Sequence, residues 1–225
     1  MLVCAISDLH GQLPKAIPPC DLLLVAGDVC PDRFSGVQAK TNPDRQLQWF
    51  ENEFVSWAED QPAEFIVVTW GNHDWCGHLV PNGQRGKRVD IVSDAPMLIN
   101  GIKLWFTPWS NEFMGWAWMK RHADLAEVYA KIPDDVDILV SHQPPYGCGD
   151  VYPDPVKMAH IGSSELLHRI EQIKPRIVVC GHLHGGHGTY QHGETTIYNV
   201  SLLDEGYNMK YAPTMFTLEA RDGRI

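Results

Sequence analysis

Five short apolar runs, each stopped by a turn, set the pattern of this chain: Leu2 to Ile6, Leu22 to Ala26, Phe65 to Thr69, Ile138 to Val140 and Ile177 to Cys180. Runs this short, without polar alternation, suit strands covered on both faces. Helical periodicity falls between some of them. Leu47, Phe50, Phe54, Trp57 and Ala58 recur at helical spacing, after Asn42-Pro43-Asp44 and before Pro62. Leu166, Ile170 and Ile173 repeat the pattern, with Ser163 or Ser164 as cap and Pro175 beyond the end. A third helix is predicted from roughly Trp116 to Lys131, stopping before Pro133. Asn100-Gly101 and His192-Gly193, each between strand-like segments, predict hairpins. Strand–helix alternation interrupted by hairpins predicts an α/β fold of two mixed β-sheets, packed as a sandwich and flanked by helices. No repeat or low-complexity linker divides the chain, so residues 1–225 read as a single domain.

The residues just beyond each run carry the chemistry. The five strand ends deliver Asp8 and His10, then Asp28, then Asn72 and His73, then His142, then His182 and His184. In α/β sheets, ligand sites gather beyond the carboxyl ends of the strands, so these tips can converge. A lone Asp or His after a strand is ordinarily a cap or turn residue. Five ends all carrying such groups are poorly explained that way. Asp8-Leu9-His10 sets two donors two residues apart, on one side of an extended segment, and His182-Leu183-His184 repeats the arrangement. Mixed carboxylate and imidazole ligands suit manganese, iron or zinc better than calcium. A bridging carboxylate would let two such cations sit about 3.5–4 Å apart.

In this order, Asp8-Leu9-His10, Gly27-Asp28, Gly71-Asn72-His73-Asp74, the His142 step and Gly181-His182-Leu183-His184 resemble the motifs of the calcineurin-like metallophosphoesterases. Each word alone is weak; the ordered set is strong and spans most of the chain. The resemblance implies the sandwich fold and a two-metal phosphoesterase. It implies one cation held by Asp8, His10, Asp28 and His184. A second would be held by Asp28, Asn72, His142 and His182, with Asp28 as the bridge. His73 would be the catalytic residue facing the substrate, touching a phosphoryl oxygen or protonating the leaving group. Water shared by two cations would attack phosphorus as a metal-bridged hydroxide. Asp32-Arg33 resembles an Asp-Arg step of the family's protein phosphatases, offset by one residue, and makes Arg33 a candidate phosphate contact.

Composition narrows the partners. The net charge of -10 argues against a broad basic surface for duplex nucleic acid or an anionic membrane, and no apolar run is long enough to span a bilayer. Bound cations reverse the local field at an acidic site, so a small phosphate-ester substrate remains compatible. Six cysteines form no C-x-x-C pair and no signal sequence is visible, so the expected compartment is the reduced cytoplasm. His187 and His192 extend the histidine tract, but the ligand set is complete without them. Trp105, Trp109, Trp116 and Trp118, with Phe106 and Phe113, either pack a hairpin and helix or stack on a nucleobase at the site mouth. They lean the substrate towards a phosphodiester, a nucleotide among them, over a phosphomonoester. A non-catalytic metal-binding scaffold is the reading from a different class; such a chain is expected to have lost ligands or His73, and none is missing.

Overall fold

The computed structural model describes residues 1–34, 37–38, 42–153 and 158–221. Twelve strands build two six-stranded sheets. In chain order they are β1 (Leu2–Ile6), β2 (Cys20–Ala26), β3 (Ala63–Thr69), β4 (Gly83–Arg85), β5 (Val89–Ile91), β6 (Ala95–Ile99), β7 (Ile102–Thr107), β8 (Ile138–Ser141), β9 (Ile177–Cys180), β10 (Gly188–His192), β11 (Thr195–Asn199) and β12 (Thr214–Thr217). The first sheet runs β12-β1-β2-β3-β5-β4 and the second β10-β11-β9-β8-β7-β6. Both share one plan. Four central strands are parallel, and each outer strand is antiparallel to its neighbour. The mixed sheets expected from the hairpin signals are present.

Alternate side chains of the central strands go to different layers. Val3, Ala5, Leu22, Leu24 and Val67 face Leu104, Phe106, Ile138, Val140 and Val179 across the seam between the sheets. Cys4, Ile6, Leu23, Val25, Ile66 and Val68 face the other way, onto Phe50, Phe54 and Ala58. On the far side, Leu139 and Val178 pack against Leu125, Leu166 and Ile170. The result is helix, sheet, sheet, helix, which is why the five apolar runs lack polar alternation.

The first helical stretch comprises α1 (Pro43–Trp49), a π-helical turn (Phe50–Phe54) and α2 (Val55–Glu59). Asn42 caps it by accepting from the Arg45 amide at 3.2 Å. The cap of α4 (Ser164–Ile173) is Ser163, which accepts from the Leu166 amide at 3.2 Å. The intervening helix is shorter than predicted: α3 covers only His122–Tyr129. Within the predicted span Trp118 has a positive φ of 48°, which no continuing helix tolerates. Trp118 instead accepts from the Ser110 amide at 2.8 Å, and Met119–Lys120 pairs with Ser110–Asn111. The Asn100-Gly101 hairpin closes with φ of 49° and 75°, a primed-turn signature. In the second hairpin His192 pairs with Thr195, so Gly193 and Glu194 form the turn. No helix among the described residues is long and apolar enough to cross a membrane.

Candidate metal centre

Because β1, β2 and β3 are mutually parallel, as are β8 and β9, the carboxyl ends within each sheet point the same way. Across the seam, Ser7 forms a parallel bridge with Ser201, and the His182 amide donates to both carboxylate oxygens of Asp8 at 3.0 Å. The five turns after the strands therefore meet at one edge of the sandwich.

The turns are sharp. Asp8, His10, Asp28 and His182 adopt left-handed φ of 56°, 44°, 52° and 68°. Gly181 is needed for close approach, since a Cβ there would collide with the side chains of Ser7 and Asp8. At Gly27, whose φ is 92°, a Cβ would meet the His142 ring.

Three groups of donors result, the third of them being His10, Asp32 and His73. Ligand atoms of Asp8, His10 and His184 lie within 4.8 Å of one another, as do those of Asp28, His142 and His182. His10 Nε2 stands 3.7 Å from Asp28 Oδ2, which joins the groups, and His142 Nε2 is 3.3 Å from the same oxygen. Asn72 enters through Oδ1, 2.8 Å from His142 Nε2. All seven proposed ligands are thus brought together. His73 lies beside them, half-buried, its Nδ1 3.0 Å from Asp32 Oδ1. Arg33 is exposed on a two-residue strand.

Several supporting residues have no role assigned by the sequence. Asp32 places one oxygen 3.2 Å from His10 Nδ1 and the other on His73. Ser7 and Ser201 hydroxyls donate to Asp8 Oδ2 at 2.5 and 2.7 Å. Buried Asp74 accepts from the amides of Val29, Cys30 and Gly71, locking the turn after β2 to the turn after β3. Asp32 shows in the sequence only through the offset Asp32-Arg33 step, and Asp74 only as the last residue of Gly71-Asn72-His73-Asp74.

Charge and burial compete here. Burial alone would raise the Asp8 carboxyl, but the His184 imidazole holds it well below the usual range. Burial likewise opposes ionisation of Asp28, and His142 and His73 overcome it. Burial lowers His142 while Asp28 and Asp8 raise it, to about 9 in total. His184, held by Asp8, also rises against its burial to about 9. His182 is pushed the other way, to about 3, by burial and the neighbouring His142.

The residues fit divalent cations. His142 Nε2 and Asn72 Oδ1, both electron-pair donors, face each other at 2.8 Å. A cation could take the place between them. The opposite ring atom, Nδ1, is committed to Ala26 O at 2.9 Å, which leaves Nε2 as the ligand atom. His184 is set similarly, with Nδ1 on Asp204 O at 2.9 Å. With Asp32 against Nδ1 of His10, its Nε2 and the Nδ2 of Asn72 are left buried without a hydrogen-bond partner among the described residues. Such orphaned groups are costly unless something else satisfies them.

Of the aromatics between Trp105 and Trp118, most pack. Trp105 is buried over Leu125 and Leu139, and Trp118 donates to Asp74 O at 3.1 Å. Trp116 differs: its half-buried ring sits 4.6 Å from the His73 ring, with exposed Phe113 edge-on at 5.6 Å.

Comparison with known proteins agrees with this architecture. A family model described as calcineurin-like phosphoesterase matches residues 1–186. Metallophosphoesterase domain-containing protein 1 of Homo sapiens is 28% identical, over 96% of this chain and 70% of its own. A UPF0046 protein of Caenorhabditis elegans is 32% identical, over 99% of this chain and 82% of its own. One solved structure superposes with a TM-score of 0.60 at 13% identity, covering 88% of this chain and 89% of its own. A putative 5′-nucleotidase from Staphylococcus aureus superposes at TM-score 0.50 and 11% identity, over 97% of this chain and 56% of its own.

Proposed function

We propose, from the premise that this chain belongs to the calcineurin-like phosphoesterase family, that its centre hydrolyses a phosphate ester with water. Asp8, His10, Asp28 and His184 would hold one divalent cation, and Asp28, Asn72, His142 and His182 the other, with Asp28 shared. The observation that carries the reading is the pair of donor groups, each within 4.8 Å internally and joined through His10 and Asp28. When bound, such cations supply Lewis acidity to a phosphoryl oxygen and lower the pKa of water. Manganese, iron and zinc all suit this donor set.

The chain's own residues do the rest. Asp32 takes the Nδ1 side of His73, which leaves Nε2 to face a substrate. Burial opposes the charged ring, but Asp28 and Asp32 raise its pKa, so His73 holds the proton that a departing ester oxygen needs. Trp116 and Phe113 beside it offer an apolar wall for an organic group on the leaving side. That wall favours a phosphodiester, including a nucleotide, over a small monoester. Six buried free thiols suit a reducing compartment such as the cytoplasm. The pairing of β12 with β1 supports one domain over residues 1–225.

The test is to load the purified chain with manganese and compare a generic phosphodiester, a phosphomonoester and a panel of cyclic nucleotides. Faster turnover of diesters is expected. A monoester preference overturns the diester assignment, and no turnover with two metals bound returns the chain to the scaffold class.

A further inference from the structure

Beyond residue 186, where the family match ends, the segment from Asp204 to Asn208 folds back onto the centre. The Tyr207 ring stands at a steep angle to the rings of both His10 and His184, with centroids 4.8 and 5.1 Å away. His10 in turn lies 5.0 Å from His73, so phenol and imidazole flank the same ring.

The loop is built to keep Tyr207 there. Its amide donates to Asp204 O at 2.8 Å, and its carbonyl accepts from Gln12 Nε2 at 2.9 Å. The Asp204 carboxylate accepts from the amides of Gly206 and Asn208 at 2.9 and 3.0 Å. Asp204 O also receives His184 Nδ1, so one loop orients the histidine and the tyrosine together. These bonds use the backbone of Tyr207 and leave its hydroxyl for another partner.

The backbone supplies a second argument. Tyr207 has a φ of 60°, a left-handed conformation that is strained for a residue with a Cβ. Among the described non-glycine residues with positive φ are Asp8, His10, Asp28 and His182, so Tyr207 shares this strain with four proposed ligands. Strain of this kind persists where the surroundings over-determine it and clusters at functional sites. The residue is still 44% exposed, so one face is open to an incoming molecule. A phenol carries its proton at neutral pH and so can donate a hydrogen bond.

We propose that Tyr207 is a further catalytic residue of this centre, whose phenol donates a hydrogen bond to a phosphoryl oxygen of the bound ester. The assignment rests on the phosphoesterase reading above. The experiment compares Tyr207→Phe with the unmodified chain, both loaded with manganese. Metal content, melting temperature, affinity for inorganic phosphate by calorimetry, and kcat/KM on a generic diester are measured. The variant keeps the ring and removes only the hydroxyl. It is expected to retain two manganese ions and its melting temperature. It should bind phosphate about tenfold more weakly and lose a similar factor in kcat/KM, the scale of one hydrogen bond to a charged group. Unchanged phosphate affinity and kcat/KM overturn the proposal. So does loss of manganese from Tyr207→Phe, which would make the hydroxyl a support for the metal ligands. If the unmodified chain cleaves no ester yet binds phosphate tenfold better than the variant, the phosphoesterase reading fails while the phosphate contact of Tyr207 stands.

Discussion

The backbone amide of His73 donates to Oδ1 of Asp28 at 2.7 Å. The carboxylate proposed to bridge two cations therefore also fixes where the His73 ring begins, and substitution can separate the two roles. His73→Ala is expected to keep both cations and lose about 10²–10⁴-fold in turnover, the scale of a general acid. Asp28→Ala is expected to lose metal as well. Elemental analysis beside kcat reads both, and full turnover in a metal-replete His73→Ala chain would sink the role given to His73.

Asp32 is the group whose substitution should appear in a pH profile. Burial pulls the His73 pKa down, and Asp28 and Asp32 together raise it. A raised acid stays protonated to higher pH, so activity that needs its proton falls as pH climbs through that value. Removing the charge with Asp32→Asn lowers the His73 pKa. The alkaline limb of kcat/KM should then move to lower pH. An alkaline limb that stays in place assigns the proton to another group.

Metal uptake should release protons. In the metal-free chain His142 and His184 are both raised to about 9, so each carries a proton at pH 7 that a cation must displace. His182, pushed down to about 3, releases none. Affinity for manganese should rise with pH and level off above about 9, the value for both rings. Calorimetry at pH 7 in buffers of different ionisation enthalpy counts the protons. Uptake without proton release contradicts the ligand roles of both rings.

Trp116→Ala tests the leaving-side wall. An aromatic contact contributes about 0.5–1.5 kcal/mol beyond area burial. That corresponds to a loss of roughly 2–10-fold in kcat/KM for an aryl or nucleotide diester. A methyl phosphate diester should be almost unaffected. Equal losses on both substrates would place Trp116 in the support of His73 rather than against the substrate.

Much of the centre could be read from residue order because its ligands follow strands buried on both faces. Asp8, Asp28, Asn72, His142 and His182 each terminate an unbroken apolar run, and the runs announce themselves. Asp32 was hidden, since its role depends on how the turn after β2 curls back to His10 and His73. Tyr207 was hidden for the same kind of reason: its neighbours His10 and His184 lie far from it in the chain, and no periodicity marks a loop. The overlong third helix shows the opposite error. Trp116, Ala117 and Trp118 have apolar character suited to a helix, yet the left-handed φ at Met114, Gly115 and Trp118 turns that segment towards His73. Backbone handedness at a single residue outweighs side-chain periodicity there.

The contact between the His182 amide and Asp8 joins residues 174 positions apart. On a ribosome adding about 5–20 residues per second, Asp8 would emerge roughly 10–35 s before the chain that completes its surroundings. Until β7 and β8 emerge, the inner face of Val3, Leu22, Leu24 and Val67 lacks the partners that cover it later. The nascent chain thus passes through a stage in which a sticky half-sandwich exists before any complete metal site. Slow codons or missing chaperones should harm the yield of this protein most between synthesis of β3 and of β9.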